Sequence, residues 1–551
     1  MTIIKSPYPS IQIPVVDLPT GLLLNPLGSN PSKRNDIAMI LHETGEKLTY
    51  GELESNVLKL SAGLKNMGVR RGCVVQMFGA SGPEFPQIVW ATLHCGGVIT
   101  TANPVYTADE LAYQLSDSQP SYIFTTPDLL PTALIAAAQA GISANCICTY
   151  HERCTGHKFW TDLFVDAHDA PRITWTEDDI KRKPAFIIYS SGTTGKPKGV
   201  LLSHYNVTAN ISQWKSLYPV SSKYQVAIFP MYHAAGLLAV QTMLSDGNTL
   251  IVTRKFSFTR LCQIIQDYKI TEIGASPPII VMLAKSPLTK EYNLSSLRSV
   301  ISGAAPLSQS LSLEVGQKYN LTSKFVGDRW GQTELSRTGL ITAAHVKPKL
   351  GSVGMVLPNS EAKLIDEEGR EVDGPNKPGE MYYRGPNVAI GYLNRPDATR
   401  ETFLEDGFLR TGDQAIYDEE GYFFIVDRLK DLIKVNALQV APAEIESHLL
   451  AHPAIADCAV IPTPDDFSGE LPLAFIVLKD ASLQSVSLAH EIMKFVDERV
   501  AIHKRLRGGI VWCDEVPKNA SGKILRRVLR DMKGVSVVEY YGGRSGRVAK
   551  L

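Results

Sequence analysis

Over the first four hundred residues, short apolar runs alternate with segments of helical period. Cys73–Gly79, Tyr122–Thr125, Ala185–Tyr189, Gln225–Phe229, Leu250–Val252 and Glu272–Ala275 read as strands. Glu84–Leu93, Thr132–Ala140 and Phe258–Tyr268 read as helices between them. Strands written as continuous apolar runs are those buried on both faces, so an α/β architecture with largely parallel sheets is expected. From Gly351 onward Gly and Pro become dense, and Glu380–Arg384 and Tyr422–Val426 alternate with period two, which predicts a β-rich subdomain. After Lys430 the pattern changes again. A helix over Ala443–Leu450, begun by Ala441-Pro442, is followed by strands at Ala456–Ile461 and Leu473–Leu478. A helix at Leu488–Val500, a strand at Gly509–Trp512 and a helix at Ile524–Asp531 complete a small α+β unit. The tail from Gly534, with Gly542, Gly543 and Gly546, is expected to be mobile.

Length and charge narrow the function. A chain of 551 residues exceeds one compact core, so two or more domains are expected. Lys plus Arg equals Asp plus Glu at 56 each, leaving no global field to draw the chain to nucleic acid or anionic lipid. The basic stretches at 504–507 and 523–530 read as solvated faces or as contacts with a polyanionic cofactor. No apolar run has the length of a membrane span; the best, Ile88–Ala102, reads as a helix running into a strand. Met1–Ser10 lacks the apolar core of a signal peptide, and eight scattered cysteines suit a reducing compartment. Cys146, Cys148, His151, Cys154 and His157 superficially offer metal ligands, but their C-x-C spacing differs from a metal-binding knuckle.

The strongest local signal follows the strand Ala185–Tyr189. Ser190, Ser191, Gly192, Thr193, Thr194, Gly195, Lys196, Pro197, Lys198 and Gly199 place hydroxyls, two ammonium groups and turn-forming glycines in one loop. Such a loop presents N–H and O–H donors to phosphate oxygens. It is not a Walker A loop, because Pro197, Lys198 and Gly199 stand where that pattern needs Gly, Lys and Ser or Thr. Further motifs follow in order: Arg329-Trp330-Gly331-Gln332-Thr333-Glu334, Leu409-Arg410-Thr411-Gly412-Asp413, Asp427-Arg428-Leu429-Lys430-Asp431 and Pro517-Lys518-Asn519-Ala520-Ser521-Gly522-Lys523.

This succession resembles the acyl-adenylate-forming superfamily, and in particular acyl-CoA synthetases and 4-coumarate–CoA ligases, over essentially the whole chain. The resemblance implies a large N-terminal AMP-binding domain, residues 1–429, and a small mobile C-terminal domain, residues 430–551, hinged at Lys430. It implies ATP-dependent conversion of a carboxylic acid to acyl-AMP, then transfer to coenzyme A. Lys523 would bridge the acid and the α-phosphate, and Glu334 would hold Mg²⁺ through a hard oxygen. Ser190 to Gly195, Lys198, Trp330, Thr333, Asp413 and Arg428 would bind ATP and AMP. Trp330 either stacks on the purine or fills core. Asp413 would accept from the ribose diol. Lys434 and Gln439 would shape the thiol tunnel for the second step; relatives usually read Lys-Gly between them, where this chain has Asn436-Ala437.

Met231 to Gly236, Ser276-Pro277-Pro278 and Ser302 to Pro306 resemble the walls of an acyl pocket, with Tyr232, His233, Ser302, Gly303, Ala304 and Arg329 facing it. His233 either gates the acid or is a buried, hydrogen-bonded histidine. Arg329 stands where 4-coumarate ligases commonly have Gly; it shortens the pocket, pairs with a polar group on the substrate, or points to solvent. A mid-sized aryl or alkyl acid is expected. The terminal Ala549-Lys550-Leu551 resembles a peroxisomal address read by the import receptor. The alternatives are an adenylating enzyme that loads a carrier protein in trans, or a luciferase-like oxidase. A non-catalytic nucleotide binder is argued against by Lys523, Glu334 and Asp413 together.

Overall fold

The computed structural model describes residues 3–190, 197–218, 222–303, 307–428, 431–435, 438–465, 468–518, 522–532 and 536–541. The largest sheet has eight strands, in the order Gly391–Tyr392, Lys198–Ser203, Pro184–Ser190, Val98–Thr101, Val74–Phe78, Tyr122–Thr125, Ile147–Thr149, Lys158–Phe159. From Pro184–Ser190 outward to Lys158–Phe159 every pairing is parallel. Its central strands are buried on both faces, which is why their sequences lack alternation. The helix Glu84–His94 runs into the strand Val98–Thr101, as the apolar stretch predicts.

A second sheet orders Tyr224–Val226, Thr249–Val252, Ile37–Leu41 and Lys47–Thr49. A third begins with the parallel strands Glu272–Ala275, Ser299–Ser302 and Gly327–Trp330 and ends with antiparallel Leu340–Ile341 and Met355–Val356. The strand expected at Gln225–Phe229 closes at Val226, because the last part of that apolar run leaves the ladder and turns toward a cavity. The β-rich subdomain is a five-stranded antiparallel sheet that includes Gly379–Arg384, Leu409–Tyr417 and Phe423–Arg428.

The C-terminal unit has its own sheet and core. Ile455–Asp465 pairs antiparallel with Gly469–Leu478, and Gly509–Trp512 joins it in parallel. The helices Pro442–Leu450 and Val486–Asp497 cover this sheet with Ile445, Leu449, Ile492 and Val496, all fully buried. One expectation is corrected here. Residues 536–541, read from sequence as mobile tail, are packed: Val537 and Val538 pair with Val511 and Ile510, and Tyr540 is 9% exposed. The segment is apolar enough to bury against the sheet, and the density of glycine around it concealed this. Among the described residues no helix is long and apolar enough to cross a membrane.

Candidate active site

The strand Pro184–Ser190 leads into the phosphate loop, and Lys198–Ser203 returns antiparallel, with Lys198 opposite Ser190. Ser191, Gly192, Thr193, Thr194 and Gly195 lie outside the described residues. Val200 pairs with Tyr392, which brings a third strand to the loop's exit. There the Lys198 ammonium lies 5.0 Å from the centre of the Tyr392 ring. The Tyr392 hydroxyl donates to Glu334 Oε1 at 3.0 Å. Burial first, then the Glu334 charge, push the Tyr392 hydroxyl well above its ordinary range, so it stays a donor. Tyr392 was not singled out from sequence: it sits in a two-residue strand with no local signature. Thr333 and Glu334 share the short turn Thr333–Leu335, both half-buried.

Asp413 is 2% exposed. Its Oδ2 accepts from Trp330 Nε1 at 2.7 Å and from Gln332 Nε2 at 2.8 Å. Gln332 Nε2 also donates to the Thr411 carbonyl at 2.9 Å. Trp330 is 8% exposed and packs with Leu335, Leu340 and Tyr383. The core-filling reading therefore describes most of the indole, and the hydrogen bond to Asp413 adds a function that sequence did not suggest. Arg428 stands opposite Asp413 in the antiparallel ladder.

A carboxylate here fits a magnesium ion. Glu334 is partly accessible, and a tyrosine fixes one of its oxygens. Among the described residues there is no group of three or more His, Cys, Asp or Glu able to hold a metal alone. Magnesium binds typically through one or two carboxylates with substrate phosphates completing the shell, which is the demand this site meets.

Lys523 comes from the small unit. The bridge between Lys518 and Ile524 closes a hairpin, and Leu525 N–H donates to the Pro517 carbonyl at 2.8 Å. Its base is pinned by Lys518 to Asp457 at 2.6 Å and by Arg526 to Glu446 at 2.7 Å. Gly522 has φ +84°, and a Cβ there would lie 2.8 Å from Pro278 Cδ. Only glycine takes that conformation and that approach without strain. The small unit is thus seated against Ser276-Pro277-Pro278 of the large one, with Lys523 at the contact.

Burial first, and the Lys523 charge second, depress the His233 imidazole to about 4. His233 is also the N-cap of the helix Ala234–Ser245: its Nδ1 accepts from Ala235 N–H at 3.2 Å. That assigns the proton of the neutral ring to Nε2. The structure shows the hydrogen-bonded histidine of the two open readings, half-buried at the head of its helix. Lys434 is exposed and lies opposite Gln439 in the hairpin of Ile433–Val435 and Leu438–Val440. Among the described residues no hydrogen bond or ion pair joins the Lys434 side chain to the nucleotide-end groups. The expected hinge, Lys430, and Asn436 and Ala437 lie outside the described residues.

The acyl wall is built on the helix Ala234–Ser245. Trp90 Nε1 donates to Gln241 Oε1, and Thr101 Oγ1 donates to the Tyr232 carbonyl at 2.6 Å, fixing this segment against the central sheet. Burial, and then Tyr106, push the Tyr232 hydroxyl up to about 12. Gly236, Ala239, Val240 and Met243, spaced along one helical face, line a cavity of about 90 Å³. That is several times the roughly 10–15 Å³ one water needs. Ser302 is fully buried at the end of its strand. Ala304 lies outside the described residues. Arg329 does not point to bulk solvent: it lines the cavity, 5.3 Å from the Trp214 ring and 5.6 Å from that of Phe229. A Cβ on Gly303 would come within 3.0 Å of Arg329 Nε, and one on Gly274 within 3.5 Å of an Arg329 terminal nitrogen, so the guanidinium lies over two positions without side chains. Arg337, which the sequence did not single out, lines the same cavity.

Residues 29–393 match the AMP-binding enzyme family, and residues 444–523 match the AMP-binding enzyme C-terminal domain. The chain is 36% identical over 512 residues to 4-coumarate–CoA ligase 1 of Petroselinum crispum, covering 91% of this chain and 92% of that one. It is 35% identical over 532 residues to peroxisomal OPC-8:0-CoA ligase 1 of Arabidopsis thaliana, covering 95% and 94%. Among solved structures, an anthranilate CoA ligase in complex with anthranoyl-AMP superposes with a TM-score of 0.82 at 25% identity, covering 94% of this chain and 97% of that one.

Proposed function

The chain belongs to the AMP-binding enzyme family, and we infer from this that it is an ATP-dependent acid–thiol ligase with an aryl or medium-chain alkyl acid as substrate. A carboxylate oxygen attacks the α-phosphorus of ATP, the bond to the β-phosphate oxygen breaks, and pyrophosphate leaves. The thiolate of coenzyme A then attacks the acyl carbon of the adenylate, and AMP departs with the bonding pair. The observation that carries the reading is the seat of Gly522 against Ser276 and Pro278, which sets the neighbouring Lys523 beside the expected acyl wall. It supports an ammonium at the meeting point of acid and nucleotide, where two anions must approach each other.

The roles of individual residues follow from that reading. Lys523 bridges the acid and the α-phosphate. Asp413, held by Trp330 and Gln332, accepts from the ribose hydroxyls. The accessible strip of the Trp330 indole and Arg428 border the nucleotide, and Thr333 donates to the α-phosphate. Ser190, the loop 191–195 and Lys198 hold the outer phosphates. Glu334 would hold Mg²⁺ through a hard carboxylate oxygen, and the ion would supply positive charge to the pyrophosphate side. Tyr392 orients Glu334 beside Lys198. The units 1–429 and 430–551 turn about Lys430 between the two steps, and the turn brings Lys434 and Gln439 to the thiol. The terminal Ala549-Lys550-Leu551 addresses the protein to the peroxisome through the import receptor, in keeping with the name of one relative at 35% identity.

Pyrophosphate exchange into ATP, measured with a panel of carboxylic acids, tests the first step. AMP release with and without coenzyme A tests the second. A ligase exchanges pyrophosphate with some acid and turns over only when the thiol is present. No exchange with any acid refutes adenylation, and turnover indifferent to coenzyme A refutes thiol transfer. A reporter carrying the last residues of the chain that stays diffuse in cytosol refutes the peroxisomal address.

A further inference from the structure

The cavity beside the helix Ala234–Ser245 holds two guanidinium groups. Arg337 is 8% exposed, and its Nε and one terminal nitrogen are buried with no hydrogen-bond partner. Its plane lies 4.5 Å from the Trp214 ring, whose other neighbour is Arg329 at 5.3 Å. Among the described residues neither guanidinium has a carboxylate within ion-pair distance. The carboxylates nearest to them are engaged or disfavoured as anions. Asp246 is 3.0 Å from the Lys215 ammonium. Burial pushes Glu272 up, with Arg329 opposing it. Burial likewise raises Asp328 to about 7, and its Oδ1 accepts the Arg329 backbone N–H at 2.8 Å.

The backbone also places Arg337 under strain. Ser336 and Arg337 have φ of 55° and 114°, conformations in which non-glycine residues are rare. They are held by the Ser336 hydroxyl on the Asn387 carbonyl at 2.9 Å and by Arg337 N–H on the Gln332 carbonyl at 3.2 Å. A Cβ on Gly331 would lie 1.8 Å from the Arg337 carbonyl oxygen, so the adjoining motif makes room for this turn. A buried, unpaired cation beside a second cation is unfavourable unless something supplies negative charge. The cavity is walled by the apolar Phe229, Val240 and Met243, and Asp246 and Glu272 also belong to its lining. It runs beside the helix that His233 caps, and a helix rises about 1.5 Å per residue, so Val240 stands roughly 10 Å along that helix from His233.

We propose that this cavity receives the far end of a dicarboxylic acid, whose second carboxylate is held between Arg329 and Arg337 while the first is adenylated. The inference rests on the ligase reading above and names the substrate class of the same site. Arginine suits this role because its planar fork binds a carboxylate through two parallel N–H bonds. Phe229, Val240 and Met243 flank the intervening carbons. A monocarboxylate of equal length would leave both guanidiniums unpaired against a methyl group.

The test compares straight-chain mono- and dicarboxylates of matched carbon number, from four to about twelve carbons, by pyrophosphate exchange on the full chain. At the favoured length the dicarboxylate should show kcat/KM at least tenfold above the monocarboxylate, mainly through a lower KM. Arg337→Met and Arg329→Met should each reduce that ratio at least tenfold, and Arg337→Lys should restore part of it. Equal use of both acids by the unmodified protein overturns the proposal while leaving the ligase intact, as does a methionine variant that depresses both acids alike. Failure to exchange with any acid overturns the ligase reading itself.

Discussion

At the proposed nucleotide end the Asp413 carboxylate accepts from Trp330 and Gln332, and the Glu334 carboxylate accepts from Tyr392. At the proposed acyl end Arg337 keeps two nitrogens buried and unbonded, and among the described residues no carboxylate is within ion-pair distance of Arg329. The first end is pre-arranged by the protein's own hydrogen bonds. The second keeps donors without a hydrogen-bond partner in the protein, which the proposed ligand would satisfy. The difference matches the demands on each: the nucleotide is the same at every turnover and gains from fixed partners, whereas discrimination among acids comes from buried groups that are costly to leave unpaired.

The largest effect that would sharpen this contrast belongs to Lys523, which comes from the small unit and is proposed to serve both ends. Lys523→Ala should lower pyrophosphate exchange on the order of 100- to 1,000-fold. Transfer to coenzyme A from a supplied acyl-adenylate should fall far less, and equal losses in both assays would break the assignment. Next comes stability. Replacing a buried, unpaired guanidinium with an apolar chain of similar length should stabilise the acid-free protein, by about 1–4 kcal/mol. Urea unfolding of Arg337→Met checks this, and a destabilised variant would mean that Arg337 is internally paired. Trp330→Phe works the other way. It removes one donor from Asp413 at about 1–2 kcal/mol, so KM for ATP should rise roughly 5- to 30-fold while KM for the acid stays unchanged.

The smallest effect concerns His233, between the two ends. Its imidazole is depressed from 6.5 to about 4 by burial and by Lys523. Between those values the unfolded chain binds a proton that the folded protein does not. The stability this group contributes is therefore complete above about 6.5 and is lost as pH falls through about 4. His233→Asn retains an N-cap acceptor and removes the titration. Its unfolding temperature should fall less between pH 7 and pH 4.5 than that of the unmodified chain, and parallel slopes would refute the argument.

Elements with continuous apolar runs were legible in the sequence, as Glu84–His94 followed by Val98–Thr101 illustrates. Their ends were less so. The run from Gln225 to Phe229 serves first a ladder and then a cavity wall, and periodicity cannot separate the two duties. Trp330 drew attention as an aromatic suited to a purine, but its burial and its bond to Asp413, 83 residues away, depend on sheet packing. Arg329 was noticed because its position departs from the family's glycine. Arg337 was not, since nothing local marks an arginine as buried or strained.

What the sequence determined by itself is the set of local motifs: a Ser/Thr/Gly/Lys loop after an apolar strand, an acidic residue after Thr411-Gly412, and a lysine after Ser521-Gly522. These motifs work through backbone turns and neighbouring donors, so their information is local. Only the tertiary structure decided which side chains from distant segments share a space. It set Tyr392 between Lys198 and Glu334, and it set two guanidiniums around Trp214. Burial and electrostatic pairing depend on everything within a few ångströms, and chain order does not record that neighbourhood.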